Sequence, residues 1–186
     1  MTIRTLGLIP ARQGSKRVPG KNTKLLAGRP LITWTIKAAL GSPWLDEIAV
    51  SADGEDSLTL AGEHGIKAIR RPPLLSHDTS LIYGAIIHAL SLISAEYVVL
   101  LQPTSPLRLT EDIDGCIIAC GTEKACVSVE EGKDYPNGAI YVGRSDWLRA
   151  GGNFDTPGLL RYFMPASRSI DINTPDDFAE AERLML

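Results

Sequence analysis

Cysteine, histidine and aromatic residues are all sparse in this chain, with three Cys, three His and 6% aromatics in 186 residues. Cys116, Cys120 and Cys126 cannot all pair, and they form neither a CxxC nor a zinc spacing, so they are expected to be small buried side chains. His64, His77 and His88 are scattered along the chain, which leaves no histidine-based metal centre or nucleophile triad. No apolar run approaches the roughly 18 residues of a membrane span. Met1-Thr2-Ile3-Arg4 leads directly into an apolar stretch, leaving no room for a signal peptide, and a cytoplasmic protein without a membrane partner is expected.

Acidic residues are missing from residues 1–45, which carry eight Lys or Arg, whereas the rest of the chain has eleven basic and twenty-two acidic residues. The net charge of -3 hides this asymmetry. An anion is therefore expected at the N-terminal end. A local basic cluster on an otherwise acidic chain makes no extended stripe, so the pattern fits a small charged ligand better than nucleic acid, and no nucleic-acid partner is expected.

Apolar strand-like runs alternate with segments of helical spacing. "TLGLIP", "EIAVSAD", "KAI", "YVVLLQ", "ACVSV", "GAIYV" and "RSIDI" read as strands. Helices are expected from Pro30, over "EDSLTLAGEHG", from Asp78 to Ser94, from Thr110 as N-cap to Gly121, and from Thr174 onward, where a cap, an N1 proline and an acid at N3 follow one another. Such alternation implies βαβ crossovers and a three-layer α/β/α, Rossmann-like fold with a mostly parallel central sheet. No linker or repeat interrupts residues 1–186, so a single domain is expected. Ligands of these sheets sit at the carboxyl ends of the strands.

The first such end carries "LIPARQGSKRVPGKN", in which Arg12, Lys16, Arg17 and Lys21 crowd a turn rich in Gly and Pro. A loop of this kind offers backbone N–H groups and charge-assisted hydrogen bonds to phosphate. It matches neither GxGxxG nor GxxxxGK[ST], so neither a dinucleotide fingerprint nor a Walker loop is indicated.

The stretch resembles the N-terminal signature of the CMP-sialic acid synthetases, or acylneuraminate cytidylyltransferases, and "RRPPLLSHDTS", "LLQPTSPLR", "NGAIYV" and "SIDINTPDDF" resemble that family's later blocks in the same order. The resemblance implies a transferase that joins CTP to the anomeric hydroxyl of a sialic-acid-like keto-acid sugar and releases pyrophosphate, with Mg²⁺ as cofactor and a homodimer as the assembly. It implies that Arg12 and Lys21 grip the triphosphate and stabilise charge on the departing pyrophosphate. Ala11, through its backbone, and Ser15, Asn22 and Arg71 would also contact the nucleotide. Lys16 and Arg17 either assist or stay in solvent. Ser76, Asp78 and Ser80 would touch the ribose or cap the next helix, with capping preferred for Asp78.

On the acceptor side, the resemblance puts Gln102 at the end of "YVVLLQ" near the sugar, the alternative being a glutamine that bonds loop backbone. Tyr141 faces the sugar or is a half-buried strand residue. Asp171 is the candidate Mg²⁺ ligand and a catalytic residue, since strand alternation in "SIDIN" would put residues 171 and 173 on the same side, and Asn173 stands where the family has a second Asp. That substitution removes one negative charge from the metal site. The connection "EEGKDYP" after Val129 is also much shorter than the segment that carries the family's sugar-facing basic residues. Lys133 or Arg168 could substitute for them, the acceptor could differ, or the chain could bind nucleotide without catalysis. Phe163 and Met164 could cover a partner's site in a dimer.

Overall fold

The apolar run that follows Arg4 is suited to burial on both faces, and it forms the middle of a sheet. The computed structural model describes residues 3–15, 17–72 and 81–185. In chain order the strands are β1 (Ile3–Ala11), β2 (Leu25–Leu26), β3 (Arg29–Pro30), β4 (Glu47–Ala52), β5 (Lys67–Arg70), β6 (Ala95–Leu101), β7 (Ala125–Glu130), β8 (Pro136–Arg144) and β9 (Leu160–Met164). The helices are α1 (Leu31–Leu40), α2 (Glu55–Glu63), α3 (Leu81–Leu92), α4 (Thr110–Cys120), α5 (Ser145–Arg149) and α6 (Pro175–Met185).

Seven strands form one sheet in the order β5-β4-β1-β6-β8-β7-β9. β1 pairs in parallel with β4 and β6, and β4 pairs in parallel with β5. β8 alone is reversed, antiparallel to both β6 and β7, because a short turn folds it back on β7 as a hairpin. The expected mostly parallel, three-layer architecture is therefore present, with one strand of opposite sense.

Alternation along the strands sends side chains to two cores. One face packs Ile9, Val50, Val99 and Ile140 against α1, α2 and α4; the other packs Leu6, Leu8, Val98 and Leu100 against α3 and α5. Each fully buried Leu, Ile or Val side chain contributes about 1.5–3 kcal/mol. Cys116, Cys120 and Cys126 are free and buried in the first core, as their scarcity and spacing suggest. A third cluster joins α6 to the β2–β3 hairpin through Leu26, Leu31, Ile172, Phe178 and Ala181. The hairpin turns at Ala27 (φ 45°) and Gly28 (φ 76°), the left-handed pair that a two-residue turn requires. Among the described residues no helix is long and apolar enough to cross a membrane.

Several sequence expectations need correction. "RSIDI" is not a strand. Ala166–Arg168 forms a 3-10 turn and residues 169–173 run on as irregular chain. The edge position beside β7 is taken instead by Leu160–Met164, and the N–H of Ile172 donates to the carbonyl of Thr104 (2.8 Å) in place of a sheet ladder. Thr110 does not cap α4. Its hydroxyl donates to the carbonyl of Ala38 (2.9 Å), while the Asp112 carboxylate accepts from the N–H of Leu109 (2.9 Å) at the helix start. Pro30 precedes α1, which begins at Leu31. The cap at Thr174 is present as expected: Asp177 accepts from the N–H groups of Asn173 and Thr174 (2.9 and 2.8 Å), and the N–H of Asp177 donates to Thr174 Oγ1 (3.2 Å).

Candidate active site

The carboxyl ends of β1, β4, β5 and β6 open together, and what they carry follows from where each strand stops. β1 delivers Arg12 and the basic loop, β5 delivers Arg71, and β6 delivers Gln102. A cavity of about 420 Å³ lies between them, lined by Pro10, Arg12, Ser15, Lys21, Asn22, Arg71, Ile82, Tyr83, Gln102, Pro103, Thr104, Asp171 and Asn173. The sequence candidates Arg12, Ser15, Lys21, Asn22, Arg71, Gln102, Asp171 and Asn173 thus converge on one space. Ala11 is buried at the end of β1, beside this wall. Lys16, Ser76, Asp78 and Ser80 lie outside the described residues.

The basic loop is held by its own backbone and by distant anchors. The N–H of Lys21 donates to the carbonyl of Val18, and those of Thr23 and Lys24 donate to that of Gly20. Asn22 Nδ2 donates to the carbonyl of Arg12 (2.9 Å), and the N–H of Gln13 donates to Asp53 Oδ1 (2.8 Å). Lys21 reaches across the cavity, its Nζ donating to the carbonyl of Ile172 (2.7 Å). Burial lowers the pKa of Lys21; Asp171 opposes that shift, and Arg12 and Arg17 add to it. Arg17 is exposed and Lys21 half-buried, so the two cations meet very different surroundings.

Arg71 is 3% exposed, and its Nε and Nη2 have no hydrogen-bond partner among the described residues. Asp53 is 3.9 Å from Nη2, at the limit of an ion pair. Burial lowers the Arg71 pKa, with Asp53 opposing. Buried guanidinium donors without acceptors are costly, and an anionic or carbonyl-bearing ligand in the cavity would satisfy them.

Across the cavity, Asp171 Oδ2 accepts from Asn173 Nδ2 (2.8 Å), while Asp171 Oδ1 is buried and has no hydrogen-bond partner among the described residues. A bare carboxylate oxygen beside an amide is the donor set of a hard cation that also takes phosphate and water. Among the described residues no group of three or more His, Cys, Asp or Glu could hold a metal, so phosphate and water would have to complete any coordination here. Asp171 and Asn173 meet through a bend of irregular chain, not through the strand alternation expected of "SIDIN".

Tyr141 does not line the cavity. It stands behind Gln102, whose side chain hydrogen-bonds it, and burial followed by the charge of Asp171 pushes its pKa up to about 12. Lys133 and Arg168 do not line it either. Lys133 is exposed in the β7–β8 turn, and Arg168 is committed to Asp112, with Nε and Nη2 each 2.8 Å from a carboxylate oxygen.

Two contributions had no usable signal in the sequence. Tyr83 puts its ring at the cavity wall while its hydroxyl donates to Asn153 Oδ1 (2.8 Å) and accepts from the N–H of Phe154 (2.6 Å). Arg108 is wholly buried behind Gln102. Its Nη1 donates to the carbonyl of Ala139 (2.5 Å), its Nη2 donates to Thr35 Oγ1 (2.6 Å), and both lie 3.2 Å from the carbonyl of Gln102. Burial lowers its pKa to about 9, so it remains a cation at neutral pH.

Residues 6–132 match the sequence profile of the family described as Cytidylyltransferase. The chain belongs to the cytidylyltransferase family. This cytidylyltransferase is 34% identical to the CMP-N,N'-diacetyllegionaminic acid synthase of Legionella pneumophila, over 98% of the chain and 97% of that protein. That alignment runs over 227 positions, so the relative carries residues that the 186-residue chain lacks. It is 33% identical to an N-acylneuraminate cytidylyltransferase of Streptococcus agalactiae over 92% of the chain, which spans about half (51%) of that relative. Among solved structures, a CMP:2-keto-3-deoxy-manno-octonic acid synthetase complexed with CTP superposes with a TM-score of 0.80 over 98% of both chains. At 17% identity that likeness shows the fold.

Proposed function

We propose that this cytidylyltransferase transfers CMP from CTP to the anomeric hydroxyl of a nonulosonic, keto-acid sugar, releasing pyrophosphate. The observation that carries the reading is the convergence of Arg12, Lys21 and Arg71 on one side of a cavity whose other side holds Asp171 and Gln102. The likeness to relatives named for legionaminic and acylneuraminic acids supports the choice of acceptor.

In this reading Arg12 and Lys21 bind the triphosphate and stabilise the negative charge that moves onto the leaving pyrophosphate. Lys21 is pre-aimed by its bond to the Ile172 carbonyl, and Arg71 supplies buried donors to the nucleotide. Gln102, fixed through its own carbonyl by Arg108, orients the sugar. Asp171 Oδ1, with the amide oxygen of Asn173, would hold Mg²⁺, which when bound polarises phosphate oxygens and favours loss of the attacking hydroxyl's proton. With one carboxylate in place of two, the cation is held less tightly than a paired-Asp site would hold it.

A homodimer fits the exposed Leu160 and Phe163 at the β9 edge, next to Tyr135 in the β7–β8 turn. Analytical ultracentrifugation would test it, and a monomer at working concentration would rule it out. For the activity, calorimetry should show a preference for CTP over UTP, ATP and GTP, and pyrophosphate release should appear with N,N'-diacetyllegionaminic or sialic acid. CTP binding with no turnover on any acid sugar would leave a nucleotide-binding protein of the same fold. Absence of any CTP preference would overturn the reading.

A further inference from the structure

A buried polar chain runs beneath Asp171. Asn137, near the start of β8, is 8% exposed. Its Oδ1 accepts from Ser128 Oγ on β7 (2.6 Å) and from the N–H of Ala139 (3.1 Å). Its Nδ2 donates to Ser169 Oγ (3.0 Å) and lies 3.4 Å from Met164 Sδ. Ser169 Oγ donates in turn to the carbonyl of Pro165 (3.0 Å). With both ends of the amide engaged, the side chain has a single orientation, and the bond to Ser169 ties the sheet to the irregular segment two residues before Asp171.

The neighbours of that bond leave Asp171 little freedom. Upstream, Arg168 clamps the fully buried Asp112. Downstream, Ile172 is held at both backbone groups, its N–H by the Thr104 carbonyl and its carbonyl by Lys21 Nζ (2.7 Å). Beneath the carboxylate lies Gly138 at φ +84°, where a Cβ would stand 3.3 Å from Asp171 Cγ. The result is a constrained carboxylate whose Oδ1 is buried and, among the described residues, without a hydrogen-bond partner.

We propose that Asn137 is a positioning residue for the metal-holding carboxylate: acting through Ser169, it fixes the backbone from which Asp171 presents Oδ1 to a divalent cation. The inference rests on the reading of Asp171 as a metal ligand. Groups that orient a metal ligand typically matter to metal affinity by roughly 10- to 100-fold, whereas an amide that only fills a core changes stability and leaves affinity alone.

The test uses Mn²⁺ as a spin-active probe, titrated into the protein with CTP and followed by electron paramagnetic resonance against CTP alone. Wild type, Asn137→Ala, Ser169→Ala and Asp171→Asn are compared below their melting temperatures, with metal-free CTP affinity measured by calorimetry. Asp171→Asn should abolish the protein-dependent Mn²⁺ binding. Asn137→Ala and Ser169→Ala should weaken it about tenfold or more while metal-free CTP affinity stays within about twofold. Should Asn137→Ala not fold, Ser169→Ala, which removes a single bond to the amide, carries the comparison. If both variants hold Mn²⁺ as wild type does while Asp171→Asn does not, the positioning role is overturned and the metal reading stands. A proportional loss of Mn²⁺ and metal-free CTP affinity would make the amide merely structural and overturn the role as well. If Asp171→Asn binds Mn²⁺ like wild type, or wild type adds nothing to CTP alone, the metal reading falls and the inference with it.

Discussion

On the side of the cavity proposed for the nucleotide, Arg12, Ser15, Lys21 and Asn22 come from one loop, and among the described residues Arg71 joins them from the end of β5. On the side proposed for the acceptor, Tyr83, Gln102, Asp171 and Asn173 come from three separated segments; Arg108 bonds the Gln102 carbonyl and Asn137 bonds Ser169, two residues before Asp171, and neither lines the cavity itself. The first side is a local structure with a strong positive field. The second is an assembly whose geometry depends on buried polar struts. A substitution on the first side should therefore act on charge, and one on the second on alignment.

The largest test of this contrast is Lys21→Ala. It should lower kcat by about 2–4 kcal/mol of transition-state stabilisation, the scale of losing one preorganised electrostatic contact, with the fold intact by circular dichroism. Full activity would remove the loop from the chemistry. Next, Arg71→Ala should weaken CTP binding by about 1.5–3 kcal/mol in calorimetry, as expected for hydrogen bonds from a charged donor, with little change in sugar KM. Gln102→Ala should act on the other side, raising sugar KM by the equivalent of about 0.5–1.5 kcal/mol while CTP affinity holds. A matching rise in the CTP constant would show that the two sides are not separable. Smallest of all, Arg17→Ala should change neither the free energy of CTP binding nor that of unfolding by more than about 0.5 kcal/mol, because the side chain is exposed.

The same contrast explains what could be read from the chain beforehand. The loop was legible because phosphate binding needs Gly, Lys and Arg close together in sequence, and Arg12 to Asn22 supply them within one turn. The layered fold was legible because period-2 and period-3.6 patterns are local. The reversed β8 was not, since strand direction is decided by the length of the β7–β8 turn and by pairing with β6, a partner far away in sequence. β9 is hard to read because it is short and only Tyr162 and Met164 turn to the core, while Leu160, Arg161 and Phe163 are exposed. Arg108 gave little sign of its role, as a lone arginine says nothing about the carbonyls of Gln102 and Ala139 that meet it. Asp171 and Asn173 were paired for a wrong reason: the contact is real, and a bend, not a strand, makes it.

One bond in the basic loop reaches beyond geometry. Asn22 Nδ2 closes onto the carbonyl of Arg12, ten positions back, so the segment between them is a ring fastened at its neck before any ligand arrives. Part of the disorder that a free loop would surrender on binding the proposed triphosphate is then already surrendered during folding. Affinity for the nucleotide is in that sense set when the protein folds, and the ligand meets a receptor that needs little persuasion to take its shape.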